Sequence, residues 1–140
     1  MKDFIVLGPS VSVQYKCIFE LLKEGIVNCG HRTISNIIKT DTETGERNVS
    51  IVWLTTFPVE RTKKIHPVEF DRTRYSTYDN SNVLNVDRIK DIPDYEGPMG
   101  VPVTIFGWDY SNYEILELLT SPNVSINGIS KWKRVLIKKK

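Results

Sequence analysis

DFIVLGPSVSVQYKCIFELLKEG, residues 3–25, sets the fold class at the beginning of the chain. Residues 3–7 are rich in aromatic and β-branched side chains and are followed by Gly8-Pro9, a pattern that predicts a buried strand. In residues 13–23 apolar side chains recur at spacings of three and four, and Gly25 follows as a stop, which predicts a helix. A strand that leads directly into a helix is typical of an α/β domain.

Most of the later segments have strand patterns. Residues 34–40 and 49–55 predict a pair of strands joined by a glycine-containing turn. The pattern weakens over residues 56–82, which favours a functional or a disordered loop with at most a short strand at 68–70. The sequence therefore predicts an α/β fold with one or two helices, about seven strands and an appended β-rich part. The other predicted strands are residues 83–86, 103–106, 113–119 and 132–137, with a turn at 126–128.

The chain has the size and composition of one globular domain. It contains 140 residues, of which 40% are hydrophobic and 26% are charged, and this mix excludes a disordered chain or a fibrous repeat. No apolar stretch approaches the roughly 18 residues that cross a bilayer, and the apolar run before Gly8 is too short for a signal peptide. We therefore expect a single domain over residues 1–140, located in the cytoplasm and not in a membrane.

The cysteines and histidines offer little material for a catalytic or metal site. Cys17 lies in the predicted helix, where a small core side chain is the simplest interpretation. Cys29 and His31 bring a thiol and an imidazole together, but no second pair follows at metal-ligand spacing. A Cys-His nucleophile or a zinc site is therefore the weakest hypothesis, and no metal is expected.

Basic residues are clustered, although the net charge is only +2. The last ten residues hold six of the 19 basic residues and no acidic one, so the remainder of the chain is net negative. A second basic cluster lies within residues 61–74. Such clusters are typical of a surface that contacts a polyanion. The candidate DNA contacts are Arg61, Lys63, Lys64, Arg72, Arg74, Lys131, Lys133 and Arg134.

Motifs of common enzyme classes are absent from the sequence. There is no Gly-x-Gly-x-x-Gly or Walker loop that would hold a dinucleotide or a phosphate, and no Gly-x-Ser-x-Gly nucleophile turn. Asp91, Asp94 and Glu96 lie in one turn, where solvated loop charges are a simpler interpretation than an acid/base pair. The residues alone therefore predict an α/β domain with two basic clusters.

A more specific signal lies in IKDIPDYEGPMGVPVT, residues 89–104, which follows YDNSN at residues 78–82. Together these segments resemble the C-terminal part of EcoRI-type adenine-specific DNA methyltransferases. Three further pieces are similar to family segments in the same order: FIVLG with the helix after it, WLTT at residues 53–56, and the basic strand that follows ING at 126–128. The resemblance covers nearly the whole chain, and DYEGPMGVP is its most specific part.

The resemblance implies a Rossmann-type methyltransferase fold and transfer of a methyl group from S-adenosylmethionine to N6 of adenine in duplex DNA. Family members hold the cofactor with a glycine-rich turn and the adenine with an Asn/Asp-Pro-Pro-aromatic loop, and neither motif occurs in these residues. No catalytic or cofactor-binding residue is therefore carried over. We expect residues 1–56 to form part of the methyltransferase-like mixed sheet, and residues 57–140 to form the DNA-recognition region and closing strands.

The leading hypothesis is a C-terminal part of an adenine methyltransferase from a restriction–modification system, truncated and inactive by itself. A chain without both motifs cannot hold the base beside the methyl donor, so no cofactor is expected for this chain alone. It is either a gene remnant or one half of a split enzyme whose partner chain supplies those motifs. The alternative is a stand-alone nucleic-acid-binding or regulatory module. We expect weak binding to duplex DNA, and self-association through a sheet edge left exposed.

Overall fold

Two units make up the part of the chain that a computed structural model describes, which is residues 2–30, 34–41 and 45–140. Unit 1 is Met1–Arg61 and unit 2 is Thr62–Lys140. The described residues form one α-helix and ten strands in three sheets. The predicted α/β class is therefore confirmed, whereas the Rossmann-type arrangement stays a prediction.

Unit 1 is built on one sheet whose central strand, β4, is Gly45–Thr55. The sheet also contains β1 (Ile5–Pro9), β2 (Asn28–Cys29) and β3 (Ile34–Asp41), and each of them pairs with β4 in the antiparallel direction. The predicted pair of strands at 34–40 and 49–55 is thus confirmed, and the turn predicted between them lies partly outside the described residues. Val52 and Leu54 are buried on one face of β4 and place the core of unit 1 there.

β1 confirms the strand predicted at the beginning of the chain but not its burial. It stands at the end of the strand order, beside β4. Ile5, Val6 and Leu7 are 59%, 45% and 49% exposed. Because successive side chains of a strand point to opposite faces, apolar side chains are exposed on both faces of β1. The prediction of burial was wrong, because an apolar run indicates a strand but does not show which segments pack against its faces.

The helix predicted for residues 13–23 is present in two parts. Ser10–Gln14 form a 3-10 helix, and Lys16–Lys23 form the α-helix, α1. Phe19 and Leu22 are the buried residues of α1. Gly25 follows with a φ of 73°, the left-handed conformation in which a glycine ends a helix at low cost. The apolar spacing thus predicted the helix, but not the tighter first turn.

Unit 2 is organised by a four-stranded mixed sheet. The strands of unit 2 are β5 (Leu84–Asn85), β6 (Met99–Pro102), β7 (Tyr113–Leu119), β8 (Ser125–Ile126), β9 (Ile129–Ser130) and β10 (Arg134–Lys139). The order in the four-stranded sheet is β5, β6, β10, β7, in which β5 and β6 are parallel and the other neighbours are antiparallel. Val135 and Ile137 of β10 have no exposed surface, so the core of unit 2 lies against β10.

The strand predictions for unit 2 are confirmed in three places and wrong at residues 103–106, and the short strand allowed at 68–70 is only an isolated bridge between Val68 and Pro93. β7 matches residues 113–119, β5 lies within 83–86, and β10 lies two residues later than predicted. Residues 103–106 are not a strand, because Val103–Gly107 form a 3-10 helix. Ile105 and Phe106 are both buried in this helical conformation, so their apolar character reflects burial and does not require a strand. The strand of this region is β6, which ends before that helix begins.

The turn predicted at residues 126–128 joins β8 to β9. Asn127 and Gly128 have φ angles of 51° and 75°, which is the backbone conformation that an Asn-Gly pair adopts in a two-residue hairpin loop. The Asp79 carboxylate accepts hydrogen bonds from both of their backbone amides, at 2.8 and 2.9 Å. A residue far away in the sequence therefore holds this hairpin in place.

Tyr78 fills the space that Gly100 leaves open on β6. Its side chain is 1% exposed, and its hydroxyl donates a hydrogen bond of 2.8 Å to Oδ1 of Asn85. Burial raises the pKa of Tyr78 to about 12, so the phenol stays a neutral donor. A Cβ added to Gly100 would overlap the Tyr78 hydroxyl and lie 2.8 Å from its Cε2. The ring position therefore requires a glycine.

Gly100→Ala should destabilise the protein by about 2 to 3 kcal/mol, because an overpacked core must displace the Tyr78 ring. Gly107→Ala is the matched control, since no atom lies within 4 Å of its added Cβ, and it should change the stability by no more than about 0.5 kcal/mol. Urea unfolding followed by circular dichroism measures both values. Equal stability of the two variants would contradict this account of Tyr78.

Candidate nucleic-acid interface

Arg61 is the one candidate DNA contact that belongs to unit 1. Its Nη2 donates a hydrogen bond of 3.2 Å to Oδ1 of Asn28, and the Asn28 amide donates in turn to the carbonyl of Phe57 at 3.1 Å. The guanidinium is thereby held against β2. Arg61 is half-buried, and its contact with DNA stays a prediction.

Lys63 lies beside Trp108 in unit 2, and Lys64 forms an isolated parallel bridge with Asp109. Nζ of Lys63 is 5.7 Å from the centroid of the Trp108 ring, which is within the range of a cation–π interaction. The backbone amide of Asp109 donates to the carbonyl of Lys63 at 2.7 Å and fixes the course of this segment. Both lysines are exposed, so the segment presents two cations on an ordered backbone.

Arg72 and Arg74 are presented by the short 3-10 helix Arg72–Arg74. Asp71 caps it, because its Oδ1 accepts hydrogen bonds from the Thr73 backbone amide at 3.0 Å and from the Thr73 hydroxyl at 2.7 Å. These hydrogen bonds lower the pKa of Asp71. Both arginines are exposed, and Asp71 adds a negative charge next to them.

Three aromatic side chains order the loop that carries these arginines. The Phe70 ring lies 4.7 Å from the Tyr95 ring and 6.1 Å from the Tyr75 ring, centroid to centroid. The Tyr75 hydroxyl donates a hydrogen bond of 2.6 Å to the carbonyl of Asp91. The weak pattern of residues 56–82 thus predicted an irregular segment, and aromatic contacts hold that segment in place.

Arg134 differs from the other candidates because it is 8% exposed. Its Nη2 donates to Oδ1 of Asp87 at 3.3 Å, and its Nη1 donates to the carbonyl of Trp132 at 3.4 Å. A hydrogen bond from Asn85 lowers the pKa of Asp87, and the charges of Lys131 and Arg134 add to this effect. This placement suits a positioning role for Arg134, and its contact with DNA stays a prediction.

Trp132 is a candidate that the sequence reasoning missed. It stands between Lys131 and Lys133 and is 82% exposed. The signal was the Lys-Trp-Lys triplet itself, but the assignment of residues 132–137 to a strand concealed it. The structure begins β10 only at Arg134, which leaves the indole on the preceding segment. A groove beside it is lined by Thr120, Ser121, Ser130, Lys131, Trp132 and Lys133.

The predicted contacts therefore fall into separate groups. Within unit 2, Lys63 and Lys64 share one segment, Arg72 and Arg74 a second, and Lys131 and Lys133 a third. Only the first and third groups are accompanied by a tryptophan, Trp108 and Trp132 respectively. Cationic side chains next to an aromatic ring can contact both the phosphates and the bases of a nucleic acid.

The acidic turn does not form a catalytic pair. Asp94 and Glu96 both accept from Nζ of Lys139, at 2.7 and 3.0 Å, and these hydrogen bonds raise the pKa of that lysine. Asp91 pairs with Nε of Arg88 at 2.7 Å. The described residues contain no group of three His, Cys, Asp or Glu side chains that could hold a metal ion. In the same residues, no helix has the length and apolarity needed to cross a membrane.

The chain is similar to known DNA methyltransferases. The model of a family described as adenine-specific methyltransferase EcoRI matches residues 1–140. The type II methyltransferase M.EcoRI of Escherichia coli is 32% identical over 165 residues, which cover 99% of this chain and 51% of that protein. The type II methyltransferase M.MpnI of Mycoplasma pneumoniae is 25% identical over 152 residues, which cover 91% of this chain and 48% of that protein. The chain thus spans about half the length of these relatives, and no solved structure matches it significantly.

The two cysteines have different environments: Cys17 is exposed and Cys29 is buried. Cys17 is exposed on α1, so its predicted place in the core was wrong; it lies on a different face from Phe19 and Leu22. Cys29 is buried, and desolvation raises its pKa to about 11, although Arg61 acts to lower it. A thiol that is protonated at neutral pH is a poor nucleophile. His31, the proposed partner of Cys29, lies outside the described residues.

Thiol labelling with a disulfide reagent should distinguish the two cysteines. At about pH 8 Cys17 should react at the rate of an ordinary exposed thiol. Cys29 should react much more slowly in the folded protein and at an ordinary rate in urea, because burial and a pKa of about 11 both suppress its thiolate. Cys17→Ser and Cys29→Ser variants identify each signal. Fast labelling of Cys29 in the folded protein would contradict its inert role.

Proposed function

Since the chain belongs to the adenine-specific methyltransferase EcoRI family, we propose that it contributes DNA contacts to N6-adenine methylation in a restriction–modification system. The observation that carries this proposal is the display of cations on three ordered segments of unit 2. Their phosphate contacts would position the duplex, while contacts to base edges in the grooves would specify its sequence. By this proposal the chain alone is not a complete enzyme.

The share of the family's length that this chain spans supports the proposal that it does not hold the methyl donor by itself. In the family a glycine-rich turn holds S-adenosylmethionine, and no such turn occurs in these residues. The chain covers 51% of M.EcoRI and 48% of M.MpnI. The rest of the family's length would supply both the cofactor site and the loop that grips the adenine.

The exposed apolar surface of β1 favours a partial or split methyltransferase over a stand-alone module. Ile5, Val6 and Leu7 are exposed on both faces of the strand, and a strand that is apolar on both faces is typical of a sheet covered on both sides. Val11 and Tyr15, which follow in the chain, are 52% and 54% exposed. We assign this surface to the remaining half of the family's length, present in the same polypeptide or in a partner chain. Residues 1–56 would then complete the methyltransferase sheet, and residues 57–140 would contact DNA.

The DNA-binding proposal is tested by fluorescence anisotropy with a labelled duplex at several salt concentrations. The chain should bind weakly, and its affinity should fall as salt rises because counterions are released. The double variant Lys63→Ala/Lys64→Ala should bind less tightly, with a salt slope smaller by about one unit for each lost phosphate contact.

The matched control is Lys16→Ala/Lys23→Ala, which removes the same charge from two exposed lysines of α1. This variant should bind like the unaltered chain if the contacts are local rather than a result of net charge. An equal loss in both double variants would reject the assigned surface. Absence of binding at low salt would reject DNA contact altogether.

Sedimentation velocity tests the assignment of the β1 surface. Without its complement, the chain should self-associate at high concentration, because an exposed apolar edge strand pairs readily with another copy. Val6→Lys should restore a monomer, since pairing would bury the added charge. Ile129→Lys, which changes an equally β-branched residue that is 68% exposed in unit 2, should associate like the unaltered chain. A strictly monomeric chain at all concentrations would contradict the assignment.

A further inference from the structure

We propose that the indole of Trp132 stacks on a base of the bound DNA while Lys131 and Lys133 contact the phosphates beside it. This inference rests on the proposed function and adds to it a contact with a base of the DNA. None of the eight candidate contacts obtained from the sequence is aromatic, so phosphate binding alone would account for all of them.

The exposure of Trp132 is unusual for its size. At 82% exposed, it is the most exposed of the large hydrophobic side chains recorded for the described residues. Tryptophan buries a large apolar surface when it finds a partner, and it is among the side chains that contribute most to the affinity of binding surfaces. Trp53 is 38% exposed, and Trp108 already faces Lys63.

The backbone on both sides of Trp132 is held in place. Before it, the amide of Lys131 donates to the carbonyl of Val124 at 2.9 Å. At Trp132 itself, the carbonyl accepts from Nη1 of Arg134 at 3.4 Å, and that guanidinium is anchored by Asp87. The indole is therefore presented by a constrained backbone, and little backbone entropy is lost when it binds. In this arrangement the buried Arg134 positions Trp132.

The charges around the indole match a nucleic acid. Lys131 and Lys133 precede and follow Trp132, and both line the groove beside it together with Thr120, Ser121 and Ser130. The two lysines and the hydroxyl groups of Thr120 and Ser121 are donors suited to phosphate oxygens, whereas the Ser130 hydroxyl donates to the carbonyl of Lys131 at 3.2 Å. Alternation of cations with an aromatic ring is the arrangement by which proteins follow a backbone and stack on its bases.

The base that Trp132 contacts must have an open face. Bases within a regular duplex are stacked on both sides, so an indole reaches a base face only where the stack is interrupted. Methylation of adenine N6 requires the target nucleotide to leave the stack, which creates such an interruption. An unpaired adenine in a duplex reproduces this situation without the methyl donor or the rest of the enzyme.

The test uses two short labelled duplexes, one fully paired and one with a single unpaired adenine. Trp132→Ala should weaken binding to the duplex with the unpaired adenine roughly tenfold, as expected for the loss of one aromatic stack on a base. Its effect on the fully paired duplex should be clearly smaller. Trp132→Phe should retain most of the affinity, because phenylalanine also stacks. Trp53→Phe, the matched control, should bind like the unaltered chain.

Intrinsic fluorescence gives an independent readout. In the variant Trp53→Phe/Trp108→Phe, the remaining tryptophan is Trp132, and its emission should be quenched when the duplex with the unpaired adenine is added. Circular dichroism of Trp132→Ala should match that of the unaltered chain, since the side chain is exposed.

The outcomes separate this inference from the proposed function. If the unaltered chain binds DNA but Trp132→Ala binds both duplexes with unchanged affinity, stacking is rejected and DNA contact stands. Equal weakening on the two duplexes would also reject stacking, because it would indicate a contact with the paired groove. If the unaltered chain binds neither duplex at low salt, both the stacking contact and the proposed function are rejected.

Discussion

The contact between the Tyr78 ring and Gly100 is the constraint on which unit 2 depends. A side chain at position 100 would occupy the place of the ring, and the hydroxyl of that ring is satisfied by Asn85. Asn85 continues the connection to Asp87, which in turn holds the buried Arg134. The Tyr78 ring thus connects the irregular segment 56–82 with β5, β6 and β10. Each buried polar group in this connection is stable only when its hydrogen-bond partners are in place. Tyr78 and Gly100 belong to the two segments that carry the resemblance to the family, so these segments meet at this point of the structure.

The two units differ in how far their apolar strands are buried. Unit 2 buries Val135 and Ile137 at the centre of a four-stranded sheet, with Met99 and Val101 beside them. Unit 1 also has a core, in which Phe19 and Leu22 are buried, yet the strand that begins it remains uncovered. Because the apolar side chains of that strand are 45–59% exposed, each forgoes about half of the roughly 1.5 to 3 kcal/mol that full burial of an exposed side chain contributes. Unit 1 is therefore the part of the chain whose stability gains most from further polypeptide.

Local patterns predicted the elements, whereas tertiary contacts decided what those elements do. The spacing of Phe19 and Leu22, the alternation in residues 113–119 and the Asn127-Gly128 turn are each set within a few residues, and the sequence predicted all three. The predictions failed where burial depends on distant segments: β1 is uncovered, Cys17 faces outward and Val103–Gly107 form a 3-10 helix. At the candidate site, charge clustering indicated the cations, but it could not separate the buried Arg134 from the exposed Lys64, nor reveal that Trp132 lies outside a strand.

The position of β10 has a consequence for folding during synthesis. This strand is the last of the four in chain order, yet it lies between β6 and β7, which have no pairing with each other in the described sheet order. During synthesis, β6 and β7 leave the ribosome before β10, the strand that lies between them. Met99, Val101 and Ile115 of β6 and β7 are then not yet covered by the complete sheet. Pairings between segments far apart in sequence form slowly, and strand edges that wait for them are prone to aggregate. The pairings of β6 and β7 with β10 therefore form only after β10 has been synthesised, and until then the strand edges that face β10 lack their backbone partners.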